Sequence, residues 1–388
     1  METTPDVIVF GLGAMGSAAA LALAKRGLRV LGLDAYERGH TRGSSHGHNR
    51  IIRQAYHEAP DYVPLIKRAY SLWRELEDET GRRVLFVNGG LIIGKPDGRT
   101  VRGTKLSGEL YGLPYEELSP AEVAARYPGF CLPDDLVAVR EPNAGFLLAD
   151  EGVGAQLDLA ARHGADLRHG EPVRRWRVDG TGVRVETDRT VYRADRLVAA
   201  PGPWSGGVLA DLGLPLTVLR VVNVHFAPVR TEWYDVRDCP IFSLLVEEGH
   251  YYGIPGPRDV GIKIGRHDNL AACDPETVRW DVTDDEIAML RDVLARYLPG
   301  AAGRVLSCLT CLYTMTPDKH FIVDRHPEHP QVAIACGFSG HGYKFAPVIG
   351  EILADITTTG ATDHPTRFLS VNRFLGVVAK TGQERLLR

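Results

Sequence analysis

A glycine-rich turn between a predicted strand and a predicted helix constrains the fold more than any other feature of this sequence. The turn reads Gly11-Leu-Gly-Ala-Met-Gly16 and follows the apolar run 6–10. In the dinucleotide-binding fingerprint, Gly11 permits the tight turn, Gly13 lets backbone approach a pyrophosphate, and Gly16 permits close packing of helix on strand. Asp34 ends the next predicted strand, where a carboxylate binds ribose hydroxyls. The pattern predicts a dinucleotide-binding βαβ unit, but it does not distinguish FAD from NAD.

The composition excludes several classes of protein. The 388 residues hold 49 acidic and 45 basic side chains, and the net charge of -4 argues against nucleic acid or an anionic membrane as partner. No apolar run reaches the roughly 18 residues of a membrane-spanning helix. The polar start at 1–6 does not resemble a secretory signal, and six irregularly spaced cysteines do not resemble a disulfide framework. We therefore expect a reduced, cytoplasmic enzyme of two domains.

Apolar strand patterns recur far apart along the chain. Those at 196–200 and 332–335 are typical of buried strands, and an apolar helix pattern follows at 346–356. The stretch 216–309 is rich in strand patterns and holds one helix pattern, at about 284–297. We predict an α/β fold with interleaved domains. A Rossmann-like nucleotide-binding domain takes residues 1–83, 146–215 and 310–388, and a strand-rich α+β substrate domain takes 84–145 and 216–309.

A polar loop, Gly43-Ser-Ser-His-Gly-His-Asn-Arg-Ile-Ile-Arg53, follows the second predicted strand. In doubly wound folds ligands bind at this edge of the sheet. Arg50 and Arg53 are three positions apart, which would place both guanidinium groups on one face of a short helix. A solvated surface loop has the same composition, so the residues alone leave both interpretations open.

Two lysines lie within apolar or glycine-rich segments. Lys263 alternates with Ile262 and Ile264, so it takes the opposite face of a strand, where a lysine usually meets solvent. Lys344 follows the glycine-rich turn 337–343 at the start of the last predicted helix. Close backbone approach and the helix N-terminus favour an anion there, although a purely structural turn also fits.

A Cys-x-x-Cys pair, Cys308 and Cys311, has no second pair or histidines at zinc-ligand spacing nearby. The segment after it looks extended, whereas a thioredoxin-type pair starts a helix. Structural burial is the default expectation for Cys131, Cys239, Cys308 and Cys336.

Five motifs occur in the order known from one family. They are Gly-Ser-x-His-Gly-x-x-Arg-Ile-Ile-Arg at 43–53, Tyr-Tyr-Gly-Ile-Pro at 251–255, Lys-Ile-Gly-x-His at 263–267, Cys-x-Tyr-Thr-x-Thr-Pro-Asp at 311–318, and Gly-Phe-Ser-Gly-His-Gly-x-Lys-Phe at 337–345. The chain resembles the monomeric sarcosine oxidase/N-methyltryptophan oxidase family of covalent flavoenzymes over nearly its whole length. The resemblance implies FAD, and a FAD-binding domain of the DAO/glutathione-reductase-2 type.

The resemblance also implies roles for individual residues. Cys311 would bond the flavin 8α-methyl carbon through sulfur, with Cys308 a bystander. The implied catalytic residues are Lys263, which would activate oxygen over the flavin face opposite the substrate, together with Arg50, His267 and Tyr252. Substrate would be bound by Arg53 and Lys344 at its carboxylate, and by Tyr252 and His267 in the pocket. The implied cofactor-binding residues are Gly11, Gly13, Gly16, Asp34, Ser44, His46, Arg50, Val173, Gly202, Cys311, Gly340, Gly342 and Lys344. No metal is implied.

The resemblance implies oxidation of a secondary amino acid such as sarcosine or another N-methyl amino acid. A hydride would pass from the C–H beside the amine to flavin N5, the imine would hydrolyse to formaldehyde and an amino acid, and O2 would be reduced to H2O2. The partners would be O2 and a small secondary amine that carries a carboxylate. The protein would be a monomer. The alternative is a cyclic imino acid or a longer secondary amine, pipecolate- or saccharopine-like.

Several positions depart from the family pattern. They include Ser45, His48, Asn49 and Tyr343, and the stretch 244–249, which we expect to shape the substrate pocket. These departures leave the amine substituent open. Two other classes remain as hypotheses: a nicotinamide-dependent dehydrogenase, which leaves the cysteine and terminal glycine motifs unexplained, and a zinc or scaffold protein built around the Cys-x-x-Cys pair.

Overall fold

The structure of the protein, a computed structural model, describes residues 4–375. Residues 1–3 of the polar start and residues 376–388 of the last predicted domain segment lie outside the described residues. Among the helices described, none combines the length and the apolar character needed to cross a bilayer.

Eight α-helices and twenty strands are formed within residues 4–375. The helices are α1 (Ala14–Lys25), α2 (Tyr62–Thr80), α3 (Arg99–Tyr111), α4 (Pro120–Arg126), α5 (Ala149–Arg162), α6 (Ser205–Val208), α7 (Asp284–Tyr297) and α8 (Ala346–Thr359). The strands are β1 (Val7–Phe10), β2 (Val30–Leu33), β3 (Asn49–Ile52), β4 (Leu85–Val87), β5 (Gly90–Gly94), β6 (Glu116–Leu118), β7 (Val137–Glu141), β8 (Gly145–Leu148), β9 (Asp166–Arg168), β10 (Val173–Asp179), β11 (Gly182–Thr187), β12 (Val191–Ala194), β13 (Arg196–Ala199), β14 (Thr217–Phe226), β15 (Ile241–Val246), β16 (Gly249–Pro255), β17 (Ile262–Arg266), β18 (Val305–Met315), β19 (Ile322–Arg325) and β20 (Val332–Cys336).

A six-stranded sheet, in the order β19-β20-β13-β1-β2-β9, carries the glycine-rich turn. Its strands pair in parallel except β19, which runs antiparallel to β20. All four residues of β1 are buried, because α1, α5 and α8 cover one face and the three-stranded sheet β10-β11-β12 covers the other. This architecture confirms the predicted α/β class and its Rossmann-like sheet.

The turn from β1 into α1 requires glycine at two positions. Gly11 has a φ of +83°, and a Cβ there would lie 2.3 Å from the Ala200 carbonyl oxygen. A Cβ on Gly16 would lie 1.6 Å from the Gly11 carbonyl oxygen, so helix and strand pack at backbone distance.

An eight-stranded sheet, in the order β18-β14-β17-β16-β15-β5-β7-β6, forms the second layer of the molecule. Helix α7 packs on one face, where Leu290 and Leu294 meet Val224 and Ile264. A capping box at Thr283 sets the start of α7, so its bounds agree with the predicted helix. The domain boundaries stay a prediction, and β18 spans the one at 310.

A three-stranded sheet, in the order β3-β8-β4, corrects the predicted short helix after residue 49. Arg50 pairs with Leu147 across antiparallel strands, so the segment is extended rather than helical. The β-branched pair Ile51 and Ile52 suits a strand, and β8 supplies the partner that local sequence does not show. Arg53 lies just beyond the strand end.

Burial corrects three further expectations. Cys239 and Cys336 are buried as expected, but Cys131 and Cys308 are exposed. Lys263 is 1% exposed, because β17 lies between β14 and β16 with both sheet faces covered, so the solvent-facing interpretation is wrong.

Candidate active site and cofactor cavity

A cavity of about 780 Å³ lies between the sheets and gathers most of the predicted site residues. This volume is within the range typical of small-molecule and cofactor sites. The predicted residues that line it are Gly11, Gly13, Asp34, Ser44, His46, Arg50, Arg53, Val173, Gly202, Tyr252, His267, Cys311, Gly340, Gly342 and Lys344. Two predicted residues are not part of the lining: Gly16, which packs against Gly11, and Lys263.

One end of the cavity fits the ribose and pyrophosphate of a dinucleotide. Asp34 accepts backbone hydrogen bonds from Leu12 at 2.7 Å and from Tyr36 at 3.0 Å, which fixes its carboxylate at the cavity wall. The N-terminus of α1 opens on the cavity without an acidic side chain in its first turn, so its N–H groups favour an anion. A Cβ at Gly13 would come within 2.9 Å of Ser45 Oγ and narrow the space that a pyrophosphate needs.

Cys311 lies where β18 crosses the polar loop after β2. Its Sγ is 3.7 Å from Nη2 of Arg50, so a guanidinium charge lies beside the sulfur. His46, in the polar loop, donates from Nε2 to the carbonyl oxygen of Thr310 on β18 at 2.8 Å. Burial and Arg50 lower the pKa of His46 to about 4, so this imidazole is neutral at pH 7. Cys308, three residues before Cys311, is exposed and is not a lining residue.

The opposite end of the cavity holds two buried cations and one carboxylate. Arg53 donates from Nη2 to Glu58 Oε1 at 2.7 Å, and its guanidinium lies 4.3 Å from the centre of the Tyr56 ring. Lys344 donates to the His341 carbonyl oxygen at 2.8 Å. Burial opposes the charge of Glu58, but Arg53 holds the pKa of this carboxyl well below its usual range.

Lys344 is the cation at this end that has no carboxylate partner within residues 4–375. Burial and the nearby charge of Arg53 lower the pKa of Lys344 to about 7. Its position is fixed by His341, which accepts from the Tyr56 hydroxyl at Nδ1 and donates from Nε2 to the Lys319 carbonyl oxygen. A carboxylate bound here would pair with Lys344 and approach Arg53.

The remaining wall is the face of the eight-stranded sheet opposite α7. His250, Tyr252 and Ile254 alternate along β16 and all line the cavity, as a strand period of two requires. Tyr252 donates its hydroxyl to Asn223 Oδ1 at 2.6 Å, and burial raises its pKa to about 12. Burial lowers the pKa of His267 to about 4.

The stretch 244–249 does not line this cavity, so that expectation is wrong. Leu244 packs in the core on the opposite face of the sheet, and Ser243 faces the cavity in its place. The site residues that sequence reasoning missed are Ser45, Tyr56, His57, Glu58, Asn223, Ser243, His250 and His341. Strand alternation around Tyr252 was the signal that would have found His250.

Lys263 lies one layer behind the lining. Its Nζ donates to the Asn49 carbonyl oxygen at 2.8 Å, and Asn49 lines the cavity. Burial and the charge of Arg50 hold the pKa of Lys263 well below its usual range.

Away from the cavity, one group among residues 4–375 has the side chains of a metal site: Asp211, His326 and His329. His326 accepts from the Glu328 backbone N–H at Nδ1, so its Nε2 carries the proton that it donates to Asp211. Neither nitrogen of His326 keeps a free lone pair for a metal.

Comparison with known proteins agrees with this geometry. Residues 6–356 match the family described as FAD dependent oxidoreductase. The chain is 44% identical over 385 residues to monomeric sarcosine oxidase of Streptomyces avermitilis, covering 98% of this chain and 100% of the relative. The chain belongs to the FAD-dependent oxidoreductase family. Within that family it groups with the monomeric sarcosine oxidases and N-methyltryptophan oxidases, as the sequence motifs indicate.

A second relative supports the same grouping, and two solved structures support the fold. N-methyl-L-tryptophan oxidase of Yersinia pestis is 33% identical over 353 residues, with 90% of this chain and 94% of the relative covered. The structure of NikD, an unusual amino acid oxidase essential for nikkomycin biosynthesis, has a TM-score of 0.83 and 26% identity, covering 95% and 97% of the two chains. L-proline dehydrogenase from P. horikoshii shares the fold, with a TM-score of 0.83 at 23% identity and coverage of 96% and 98%.

The lowered pKa of Lys344 predicts how carboxylate binding depends on pH. Below about pH 7 the ammonium is charged, and above that pH the charge is lost. We expect the dissociation constant of acetate to rise by up to about tenfold per pH unit above pH 7. Equilibrium titration of the flavin absorbance between pH 6 and 9 measures it. Lys344→Arg keeps its charge over this range and should flatten the profile, whereas a flat profile for the unaltered protein contradicts the prediction.

Proposed function

We propose that the protein is a FAD-dependent oxidase of secondary amino acids, sarcosine or other N-methyl amino acids, with O2 as electron acceptor. The observation that carries the proposal is the placement of Lys344 and Arg53 in the same cavity as Cys311 and the dinucleotide turn. Relatives named monomeric sarcosine oxidase and N-methyl-L-tryptophan oxidase, similar over nearly the whole chain, support it. A cytoplasmic monomer is part of the same proposal.

The charges at the substrate end favour a ligand with one carboxylate. Arg53 already carries the Glu58 carboxylate, so Lys344 supplies the uncompensated positive charge. A substrate carboxylate would pair with Lys344 and share the outer face of Arg53. Burial of both cations strengthens this attraction, since water screens it little. The pair would hold the substrate in one orientation, and well-oriented reactants can lower a barrier by about 7–11 kcal/mol.

The opposite side of the substrate would meet neutral polar groups. His267 makes no side-chain hydrogen bond within residues 4–375, and its ring lies 5.1 Å from that of His250. Because its pKa is lowered to about 4, its imidazole is neutral at pH 7 and has a lone pair for the substrate N–H. Tyr252, held by Asn223, would limit rotation of the bound amine.

Bound FAD would supply the two-electron acceptor that oxidises the amine to an imine and passes the electrons to O2, giving H2O2. We propose that Cys311 holds it covalently through sulfur. Ser44 and Arg50 would position the sulfur, since Sγ lies 3.6 Å from the Ser44 carbonyl oxygen and 3.7 Å from Nη2 of Arg50. Water added to the imine would then release formaldehyde and the amino acid.

Anaerobic addition of sarcosine to the purified holoenzyme tests the proposed function. We expect the visible flavin absorbance to bleach, and to return on admitting air with release of H2O2. If the protein stays yellow with sarcosine and N-methyl amino acids but bleaches with L-pipecolate, this proposal is overturned. The substrate would then be a cyclic imino acid.

Covalent attachment is tested by two cysteine variants on one strand. In Cys311→Ala we expect acid precipitation to leave all flavin in the supernatant, because the bonding sulfur is gone. Cys308→Ala is the matched control, since Cys308 lies three residues away and is exposed. It should retain protein-bound flavin fluorescence on a denaturing gel. Flavin bound to denatured Cys311→Ala would contradict the assignment.

We propose that Lys263 assists the reaction with O2 from its position behind Asn49. In Lys263→Met, stopped-flow measurement should show reoxidation of the reduced enzyme slowed on the order of 100-fold. Anaerobic reduction by substrate should change by less than about threefold, because Lys263 does not line the substrate end. Equal slowing of both half-reactions would show that the substitution disturbs the whole site and would contradict the role.

A further inference from the structure

A polar patch on the substrate side of the cavity has no task in the proposed chemistry. Ser243 on β15 pairs directly with Tyr252 on β16, so both side chains share one face of the sheet. Beside them lie His250 and His57, whose ring centres are 6.1 Å apart. Ser243, His250 and His57 all line the cavity. We call these three residues, Ser243, His250 and His57, the serine–histidine wall. A site that held only the methyl group of sarcosine would not need them.

The wall is uncharged. Burial lowers the pKa of His250 to about 3 and holds that of His57 well below its usual range. Neutral imidazoles add no charge that would balance a second carboxylate on a ligand. Glu58 Oε1 lies 3.4 Å from His57 Nε2, so its negative charge would repel a second ligand carboxylate. The wall therefore suits a neutral hydrogen-bonding group.

The direction of the hydrogen bond between Ser243 and His250 follows from the ring nitrogen of His250 that has no partner. Ser243 Oγ and His250 Nε2 are 2.8 Å apart, and His250 Nδ1 is buried without a partner in the described protein. A buried N–H without an acceptor is rarer than a buried lone pair without a donor, so Nε2 carries the proton. His250 therefore donates to Ser243 Oγ, and the Ser243 hydroxyl hydrogen is left to donate into the cavity.

Neighbouring contacts hold the wall in place. The backbone N–H of His250 donates to Asp268 Oδ1 at 3.0 Å. On the His57 side, Glu141 accepts from the Ala55 backbone N–H at 3.0 Å, and Ser107 donates to the Tyr56 carbonyl oxygen at 2.7 Å. A Cβ on Gly103 would lie 2.5 Å from the His57 carbonyl oxygen, so α3 packs tightly against this segment. A donor held this rigidly discriminates between ligands at little entropic cost.

We propose that Ser243, oriented by His250, determines substrate specificity by donating a hydrogen bond to a neutral oxygen on the substrate side chain. The preferred substrates are then N-methyl amino acids with a hydroxyl or carboxamide side chain, such as N-methyl-L-serine. An alkyl side chain would cover the Ser243 hydroxyl without replacing its hydrogen bond to water, which weakens binding. The inference rests on the proposed function and names its substrate class.

A pair of substrates of equal size tests the inference. N-methyl-L-serine and N-methyl-L-2-aminobutyrate differ by a hydroxyl in place of a methyl group. With the holoenzyme we expect kcat/KM to favour the serine compound by about tenfold, mainly through KM. In Ser243→Ala the ratio should fall to about one. Ser307→Ala, an exposed strand serine outside the cavity lining, should keep the ratio of the unaltered protein.

A second variant separates orientation from folding. His250→Phe keeps a ring but loses the donor to Ser243, so the ratio should fall while the flavin content and visible spectrum stay unchanged. A ratio near one in the unaltered protein, a ratio retained by Ser243→Ala, or a preference for N-methyl-L-aspartate would each overturn the inference. If the inference is overturned in any of these ways but sarcosine still bleaches the flavin, the proposed function stands. If no N-methyl amino acid bleaches it, the proposed function fails.

Discussion

The half-buried guanidinium of Arg50 connects the parts of the chain that make the site. Its donors are satisfied by the carbonyl oxygens of Ser44, His46 and Asn49, at 3.1, 2.6 and 2.9 Å. A charge taken out of water is tolerated only with such partners, so this cation fixes the loop between β2 and β3. The same group reaches Cys311 on the eight-stranded sheet, so it ties the loop and β3 to that sheet at the cavity.

A second group of charges, formed by Arg53, Glu58 and Lys344, determines which ligand charge one end of the cavity can bind. The ion pair of Arg53 and Glu58 is internally balanced, and breaking it would leave an uncompensated charge in a dry site. Lys344 is the cation at this end that has no carboxylate partner among the described residues, and burial and Arg53 lower its pKa to about 7. Neutral imidazoles cover the facing wall. The cavity therefore offers positive charge at one side and uncharged hydrogen-bonding groups at the other.

Local sequence patterns predicted the elements well because local interactions set them. The helix at 284–297 was predicted with its final bounds, since the Thr283 capping box marks its start. The helix expected near Arg50 was wrong because a strand distant in sequence, β8, pairs with that segment. The site was predicted in part: Arg53 and Lys344 line the cavity, but Glu58 and Ser243 were missed. Their roles depend on neighbours that only folding supplies.

By itself, the sequence determined the glycine turn of the nucleotide sheet, the strand periodicity and the motifs that place the chain in its family. Glycine positions and alternation are properties of neighbouring residues, so they need no tertiary information. Only the tertiary structure decided that Lys263 is buried behind Asn49 and that Ser243 faces the cavity. Each of these depends on which sheet covers which face, and long-range packing alone sets that choice.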